Sequence, residues 1–154
     1  MLDCDGASLR EAVRARPFLV KPNEHELESY CGRRLMTEPM LLDAARKLSR
    51  LTAGWVLLSR GKAGALLVND RERTAWLARA PRIRVLNTVG AGDAMLAAVA
   101  AQIHAGASPA DWLRQGVAAG TVLAGRPAGE LPPAAAVSNL APSLAVRRRH
   151  WDNS

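Results

Sequence analysis

Short apolar runs recur along the chain and predict its strands. Residues 17–20 and 55–59 are continuous apolar runs, of the kind found in strands that are covered on both faces. The runs ALLVND and RTAWLAR flank a polar turn and predict a hairpin. The apolar start MLDC and residues 83–87 predict two further short strands, the second of which leads into a glycine-rich loop.

Apolar residues at helical spacing lie between these runs and predict helices. Most of these helices open on a side chain that can accept hydrogen bonds from free backbone N–H groups. A further helix follows Asp93 and runs to about residue 104. The capped helices start at Ser8 (a capping box with Glu11), at Asn23 (running to about Cys31), at Thr37 with Pro39 (running to Leu51) and at Ser108 (running to about Leu123).

The alternation of strands and helices indicates the α/β class with a mostly parallel sheet, in which the hairpin near Asp70 is an inserted antiparallel element. Ligands of such sheets bind beyond the carboxyl ends of the strands. Three loops predicted at that edge, after Val20, Leu58 and Leu86, carry polar or glycine-rich sequences. Their coincidence is the first indication of a functional site.

Composition supports one globular domain. The 154 residues are 49% hydrophobic and 23% charged, which suits a folded chain with a core rather than a disordered one. No apolar run reaches the roughly 18 residues that span a bilayer. The N-terminal sequence shows no signal-peptide pattern, so the expected location is cytoplasmic, with no membrane partner.

The net charge of +7 raises the possibility of a polyanionic partner. The arginines are scattered singly, except at Arg147–Arg149, and few aromatic residues accompany them. Nucleic-acid binding is therefore disfavoured, and a solvated surface with some affinity for phosphate is favoured. Cys4 and Cys31 form no metal-binding spacing and are expected to be buried thiols, and the three histidines are isolated.

The loop TVGAGD, from Thr88 to Asp93, predicts an anion site. Glycines allow successive backbone N–H groups to point at one place, and a helix N-terminus adds partial positive charge. A carboxylate beside a bound phosphate is useful if it accepts a proton from an attacking hydroxyl. The structural alternative is that Asp93 only caps the helix and the glycines only turn the chain.

Two other loops carry weaker signals. In KPNEHEL, the oxygens of Asn23 and Glu26 could hold the waters of a Mg²⁺ ion, and Lys21 could reach a phosphate. A plain capping box is the alternative there. SRGKAG, from Ser59 to Gly64, allows close backbone approach to a ribose or phosphate, or is a simple turn. No Walker P-loop occurs in the chain.

Taken in this order and spacing, KPNEHEL, SRGKAG and NTVGAGDAM resemble the ribokinase-like PfkB family of carbohydrate kinases. The first motif most resembles the branch formed by 1-phosphofructokinase and tagatose-6-phosphate kinase. The resemblance implies a ribokinase-like three-layer sandwich over residues 1–145, followed by a basic tail at 146–154. It also implies ATP and Mg²⁺ as cofactors and a sugar phosphate as substrate.

The family's roles carry over to matching positions of this sequence. Asp93 would be the catalytic base, and the backbone of Gly90, Ala91 and Gly92 would form the anion hole. Asn23 and Glu26 would tune Mg²⁺ and phosphate binding. The residues implied to line the ATP phosphates and ribose are Lys21, Ser59, Gly61, Gly64 and Thr88, and residues 115–125 would help to enclose adenine.

The resemblance also implies that a large part of the family fold is missing. Family members are about twice as long, and their N-terminal half carries sugar-recognition residues and a lid. The expectation is a sheet truncated on its N-terminal side, with an exposed apolar edge. The chain would then act with a complementing N-terminal half, or as a homo-oligomer; the alternative is an inactive nucleotide-binding remnant. The sugar itself is left open.

Overall fold

The structure, a computed structural model, describes residues 1–3 and 6–151 and confirms the α/β class. Helices and strands alternate along much of the chain, with short 3-10 turns between some of them. The helices are α1 (Gly6–Ala12), α2 (Glu24–Cys31), α3 (Glu38–Leu51), α4 (Ala91–His104), α5 (Pro109–Ala124) and α6 (Ala134–Leu140). The strands are β1 (Leu19–Val20), β2 (Trp55–Ser59), β3 (Ala65–Asn69), β4 (Thr74–Ala78) and β5 (Val146–His150).

The five strands form one sheet in the order β1-β2-β3-β4-β5. β1 and β2 are parallel, with Leu19 opposite Trp55. The sheet as a whole is mostly antiparallel, so the prediction of a mostly parallel sheet is wrong. The reason lies in the connections: β2, β3 and β4 are joined by short segments, whereas parallel neighbours need a crossover of about a dozen residues or more.

The N-terminal run predicted as a strand forms a single bridge, in which Leu2 pairs in parallel with Val20. Met1, Leu2 and Phe18 remain 45%, 37% and 44% exposed around β1, where an exposed apolar edge was expected. At the other end of the sheet, residues 146–150 of the predicted basic tail form β5. Cys4 lies outside the described residues.

Backbone contacts divide the chain into two compact units. The first comprises Met1–Arg60, Leu66–Trp76 and Arg148–Ser154, and the second comprises Gly61–Ala65 and Leu77–Arg147. Among the described residues, no helix combines the length and the apolar character needed to cross a membrane. Cys31 is only partly buried, and that burial raises the pKa of its thiol.

Local capping signals placed most helix starts correctly. Asn23, Thr37 and Ser108 are the N-caps of α2, α3 and α5, as predicted. The predicted cap at Ser8 is wrong because α1 already begins at Gly6, which puts Ser8 inside the helix. The carboxylate of Glu11 instead forms an exposed ion pair with Arg14.

Residues 83–87, predicted as a strand, are not in the sheet. The N–H groups of Leu86 and Asn87 both donate to the carbonyl of Ala124, at 2.8 and 3.2 Å, so the end of α5 takes the place of a neighbouring strand. Val85 is 54% exposed, which a covered strand would not allow. The apolar run therefore reflects an extended segment that lies along a helix end.

Close packing of α4 against α5 organises the second unit. A Cβ added at Gly116 would lie 2.8 Å from a methyl group of Val99, and one added at Gly120 would lie 3.0 Å from the carbonyl oxygen of Ala91. Both distances are too short for an ordinary carbon contact. The absence of side chains at these two positions therefore sets how near the two helices approach.

A carboxylate clamp fastens α3 to the end of β3 in the first unit. Asp70 accepts hydrogen bonds from Arg46 Nε at 2.9 Å and from Arg50 Nε at 2.6 Å, and its side chain is 13% exposed. Burial alone would raise the pKa of Asp70. The hydrogen bonds and charges of Arg50 and Arg46 outweigh burial, so the pKa lies below its ordinary value.

Gly64→Ala is expected to lower the free energy of unfolding by about 3 kcal/mol or more, because the new Cβ meets the backbone. Gly64 has a φ of +94°, and an added Cβ would lie 2.0 Å from the Ala78 carbonyl oxygen. Gly61→Ala is the matched control, since φ is +50° there and nothing lies within 4 Å. It should cost about 1 kcal/mol. Urea denaturation of both variants measures the difference, and equal losses would contradict the assigned packing.

Acid should weaken the fold through Asp70. Because the pKa of this carboxyl is lower in the folded chain than its ordinary value of 3.8, the carboxylate stabilises the fold above that value. The contribution is lost as the pH falls through the folded pKa. Urea denaturation as a function of pH should show a shallower acid loss for Asp70→Asn than for the parent chain. Glu11→Gln, in an exposed pair, should leave the acid profile unchanged.

Candidate functional site

The residues that sequence analysis singled out fall into both compact units. Lys21, Asn23, Glu26 and Ser59 belong to the first unit. The glycine-rich turn and the loop before α4 belong to the second, and they comprise Gly61, Gly64, Thr88, Gly90, Ala91, Gly92 and Asp93. Each set has a defined local geometry of its own.

The loop before α4 presents backbone N–H groups at a helix N-terminus. Gly90 is the N-cap and takes a left-handed conformation, with φ +81° and ψ −4°, that favours glycine. The N–H of Ala91 donates to Thr88 O at 3.2 Å. The next two residues, Gly92 and Asp93, belong to the first helical turn, where N–H groups have no acceptor within the helix.

Asp93 does not cap the helix. It is the third residue of α4, the cap position belongs to Gly90, and no side chain supplies a capping hydrogen bond. The carboxylate is exposed beside the first turn. The structure therefore contradicts the alternative in which Asp93 serves only as a cap. It also starts α4 at Ala91, two residues before the predicted start.

Asn87 is a loop residue that sequence analysis did not single out. Its side-chain oxygen accepts a hydrogen bond from the N–H of Val89 at 3.1 Å, and its amide nitrogen lies 3.4 Å from the carbonyl of the same residue. Such a contact from an asparagine to the backbone two residues on is a common turn device. An asparagine at the start of a glycine-rich loop was the sequence signal for it.

At the start of α2, Asn23 and Glu26 form the capping box. Asn23 Oδ1 accepts from the N–H of Glu26 at 2.8 Å, and Glu26 Oε2 accepts from the N–H of Asn23 at 2.8 Å. The structural alternative weighed for this pair is therefore present. Glu26 Oε1 takes no part in the box, and both side chains are only partly buried.

The loops after β1 and β2 meet at the carboxyl ends of these two strands, as predicted. Asn23 and Ser59 form an isolated parallel bridge, and the N–H of Ser59 donates to Pro22 O at 3.0 Å. The Ser59 hydroxyl lies 3.5 Å from the same carbonyl. The capping box of α2 therefore lies beside the end of β2.

Lys21 is buried, with 5% of the residue exposed, and its ammonium lies 2.9 Å from Asp3 Oδ2. A buried ammonium is costly unless a carboxylate partners it, which explains the pair. In this arrangement Asp3, rather than a phosphate, partners Lys21. The pairing of Lys21 with Asp3 could not be predicted from the sequence, because the two residues lie on different segments.

The segment from Gly61 to Gly64 forms a tight turn between β2 and β3. Residues 61–63 make one turn of 3-10 helix, and the N–H of Gly64 donates to Gly61 O at 3.0 Å. A turn was the structural alternative for this motif, and it is present. Both glycines have positive φ, a conformation that favours residues without a side chain.

Arg60 is a second residue that sequence analysis missed. Its guanidinium reaches Glu24 Oε1 at 2.7 Å and Glu38 Oε2 at 3.1 Å, and its side chain is 15% exposed. Glu38 also pairs with Arg149 at 3.2 Å. Arg60 thereby ties the end of β2 to the first turns of α2 and α3. Its partners lie 36 and 22 residues away, so no local pattern could identify it.

Among the described residues, no group of three or more histidine, cysteine or acidic side chains is arranged to hold a metal ion. A metal bound directly by such a cluster therefore finds no support within residues 1–3 and 6–151. Asn23 and Glu26 supply two oxygen-bearing side chains, and only Glu26 is acidic.

Comparison with known proteins places this geometry in one family. The family model described as pfkB family carbohydrate kinase matches residues 1–134. The 1-phosphofructokinase of Rhodobacter capsulatus is 37% identical over 146 residues, which cover 95% of this chain and 46% of that protein. The chain thus spans about half the length of this relative.

Two solved structures share the fold. The phosphofructokinase-2 of Escherichia coli, in complex with substrates and products, superposes with a TM-score of 0.84 at 28% identity, over 92% of this chain and 46% of that one. The ribokinase of Arabidopsis thaliana, complexed with ribose and ATP, gives a TM-score of 0.74 at 25% identity, over 91% and 44%. The predicted ribokinase-like fold is therefore confirmed.

Asn23→Ala is expected to lower the free energy of unfolding by about 1 kcal/mol, because the N–H of Glu26 loses its capping acceptor. Thermal or urea unfolding measures the loss. Thr37→Ala is the matched control, since its capping bond to the N–H of Met40 is longer, at 3.4 Å, and exposed. It should cost less. A larger loss in the Thr37 variant would contradict the importance of the α2 capping box.

Proposed function

We propose that this chain, which belongs to the pfkB family of carbohydrate kinases, carries the phosphoryl-transfer site of an ATP-dependent sugar-phosphate kinase. One observation carries the proposal: the loop 88–93 opens α4 with a left-handed glycine and leaves Asp93 exposed and free of a capping role. The carboxylate is therefore available to act on a ligand held at the N-terminus of α4. The similarity to 1-phosphofructokinase supports a sugar phosphate as the acceptor.

In the proposed step, Asp93 accepts the proton of a sugar hydroxyl. The hydroxyl oxygen forms a bond to the γ-phosphorus of ATP, and the bond from that phosphorus to the β,γ-bridging oxygen breaks. The products are the phosphorylated sugar and ADP, and the proton resides on the Asp93 carboxyl. The chain itself supplies no covalent intermediate, so positioning and electrostatics account for catalysis.

The first turn of α4 stabilises the charge of the transferring group in this proposal. The N–H groups of Gly92 and Asp93 have no acceptor within the helix and lie where the helix dipole is positive. Gly90 keeps side chains away from the place where the phosphoryl group would lie. Donors arranged in advance cost no reorganisation when the charge develops, which is why such sites accelerate transfer.

Asn23 and Glu26 would hold Mg²⁺ through its waters. The capping box engages Glu26 Oε2 and one lone pair of Asn23 Oδ1, so Glu26 Oε1 and a second lone pair remain for water. These oxygens suit a hydrated magnesium ion better than a directly bound one. When bound, the ion neutralises part of the charge on the phosphates of ATP.

The remaining residues are proposed to contact ATP. Ser59, Gly61, Gly64 and Thr88 stand at the end of β2, in the turn after it and before α4, and would approach the phosphates and ribose. Lys21 would reach a phosphate only by exchanging its ion pair with Asp3. Residues 115–125 of α5 and its C-cap would help to enclose adenine.

The sugar phosphate proposed first is fructose 1-phosphate, ahead of tagatose 6-phosphate. The chain spans 46% of the Rhodobacter capsulatus relative, and we propose that transfer requires the complementary half of the family fold. The second candidate is a nucleotide-binding remnant that transfers no phosphoryl group. If no sugar hydroxyl is held in line with the γ-phosphorus, Asp93 would promote transfer of the phosphoryl group poorly.

Calorimetric titration of the purified chain with Mg-ATP, paired with a turnover assay on fructose 1-phosphate, separates the candidates. The assay is made with the chain alone and with the chain mixed with the non-overlapping half of the Rhodobacter capsulatus relative. Binding with turnover only in the mixture supports the proposal. Binding without turnover in either sample favours the remnant, and no binding contradicts both.

Asp93→Asn is expected to reduce turnover at least about a hundredfold in the active sample while leaving the affinity for Mg-ATP within about twofold, because a carboxamide does not accept the hydroxyl proton. Calorimetry and the turnover assay measure the two quantities. An unchanged rate would remove Asp93 from the role of base.

Gly92→Val is the companion variant for the anion hole. The added side chain would stand among the N–H groups of the first turn, so the affinity for Mg-ATP should fall at least about tenfold. Circular dichroism checks that α4 still forms. Equal affinity in this variant would contradict the assignment of residues 90–92.

A further inference from the structure

A second cluster of charged side chains lies in the first unit and shares no residue with those assigned to phosphoryl transfer. A cavity of about 520 Å³ opens where the end of α1 and the 3-10 turn after it come beside the C-terminal end of α3. The cavity is wide open to solvent, and its volume falls in the range of small-molecule sites. The cavity is lined by Arg10, Val13, Arg14, Arg16, Arg50 and Leu51.

Among the described residues, only two of the four guanidinium groups that line this cavity form ion pairs with carboxylates. Arg14 pairs with Glu11 at 2.9 Å, and Arg50 pairs with Asp70 at 2.6 Å through its Nε alone. Because Arg50 uses Nε in its pair with Asp70, both of its terminal nitrogens remain as donors, in the planar arrangement that binds phosphate oxygens in pairs. The excess of positive charge favours an anionic ligand.

Arg10 is held in place by a carbonyl and an aromatic ring rather than by a carboxylate. Its Nη2 donates to the carbonyl of Tyr30 at 2.8 Å, and its guanidinium lies over the ring of the same residue, 5.3 Å from the centroid. Its Nη1 and Nε are not used in that contact. A cation fixed in this way costs little entropy when it binds an anion, which favours a preorganised site.

Arg16 is the most unusual member of the cluster. Within residues 1–3 and 6–151, its side chain makes no hydrogen bond and no ion pair. Its backbone is left-handed, with φ +48° and ψ +57°, a conformation that costs a residue with a side chain about 1 kcal/mol or more. Glycine would occupy this position with less strain, so the backbone does not account for an arginine there.

We propose that this cavity binds an organic phosphate with two or more phosphoryl groups. Arg10, Arg14, Arg16 and Arg50 contact the phosphoryl oxygens, and Val13 with Leu51, which is 49% exposed, contacts the carbon skeleton of the ligand. Nucleoside diphosphates and sugar bisphosphates share this chemistry. None of the lining residues belongs to the loop 88–93 or to the capping box of α2.

The test follows backbone amide signals of the full chain by NMR, at fixed salt of about 0.1 M, where distant charges are screened. The probes are ADP, fructose 1,6-bisphosphate and inorganic phosphate. Signals from Val13, Arg16 and Leu51 report on the cavity, and signals from Gly90 and Gly92 report separately on the loop before α4. Saturable shifts at the cavity with ADP or the bisphosphate, and weaker binding of inorganic phosphate, are expected.

Arg16→Gly is the decisive variant, because it removes the guanidinium and relieves the left-handed strain. Its free energy of unfolding should be equal to or above that of the parent chain, while binding at the cavity should weaken about tenfold. The double variant Arg14→Gln, Arg16→Gln should weaken it further. Arg82→Gln with Arg84→Gln, at exposed positions of the second unit, is the charge-matched control and should bind within about twofold of the parent.

Two results would overturn the proposal. The first is an absence of saturable shifts at Val13, Arg16 and Leu51 with every probe. The second is an equal loss of affinity in the cavity variants and in the control, which would mean that net charge alone attracts the anion. The outcome is independent of ATP binding at the loop before α4, because the two sets of amide signals are read separately. Which of ADP and the bisphosphate binds more tightly identifies the source of the phosphate.

Discussion

The closeness of α4 and α5 is the constraint on which the candidate phosphoryl-transfer site depends. The carbonyl of Ala91 lies where a side chain at position 120 would have to stand, and Val99 lies where a side chain at position 116 would have to stand. Because Ala91 belongs to the first turn of α4, the packing of α5 fixes the helix end that presents Asp93. A larger residue at position 120 would press on the first turn of α4. The small residues of α5 thus position the helix end at which the anion site is proposed.

In the first unit, polar contacts rather than close helix packing position the candidate site residues. A capping box starts α2, a parallel bridge joins Asn23 to Ser59, and Arg60 ties the end of β2 to two helix starts. Each of these contacts satisfies backbone or charged groups that would otherwise be unpaired at the carboxyl ends of the strands. The contacts therefore hold in one place the side chains that the family resemblance relates to magnesium and phosphate.

The parts of the structure that were predictable from the sequence are those governed by neighbours a few residues apart. The caps at Asn23, Thr37 and Ser108 and the hairpin around Asp70 depend on spacings of two to four residues, and they were predicted correctly. Contacts between distant segments were not predictable. Residues 83–87 have the composition of a strand, but the carbonyl of Ala124 takes their N–H groups. The prediction of a mostly parallel sheet failed because the connections between β2, β3 and β4 are too short for parallel pairing. At the site, the loop 88–93 was recognisable from its glycines, whereas Arg60 and the partner of Lys21 required the fold.

The strand β5 forms one edge of the sheet and carries three consecutive exposed arginines, Arg147, Arg148 and Arg149. The last strand of a sheet offers unpaired N–H and C=O groups to any other strand, including that of a second copy. Two copies meeting at this edge would bring arginine against arginine, and the repulsion opposes continuation of the sheet from one molecule into the next. The same charge is screened in concentrated salt. High ionic strength is therefore expected to weaken this protection of the edge.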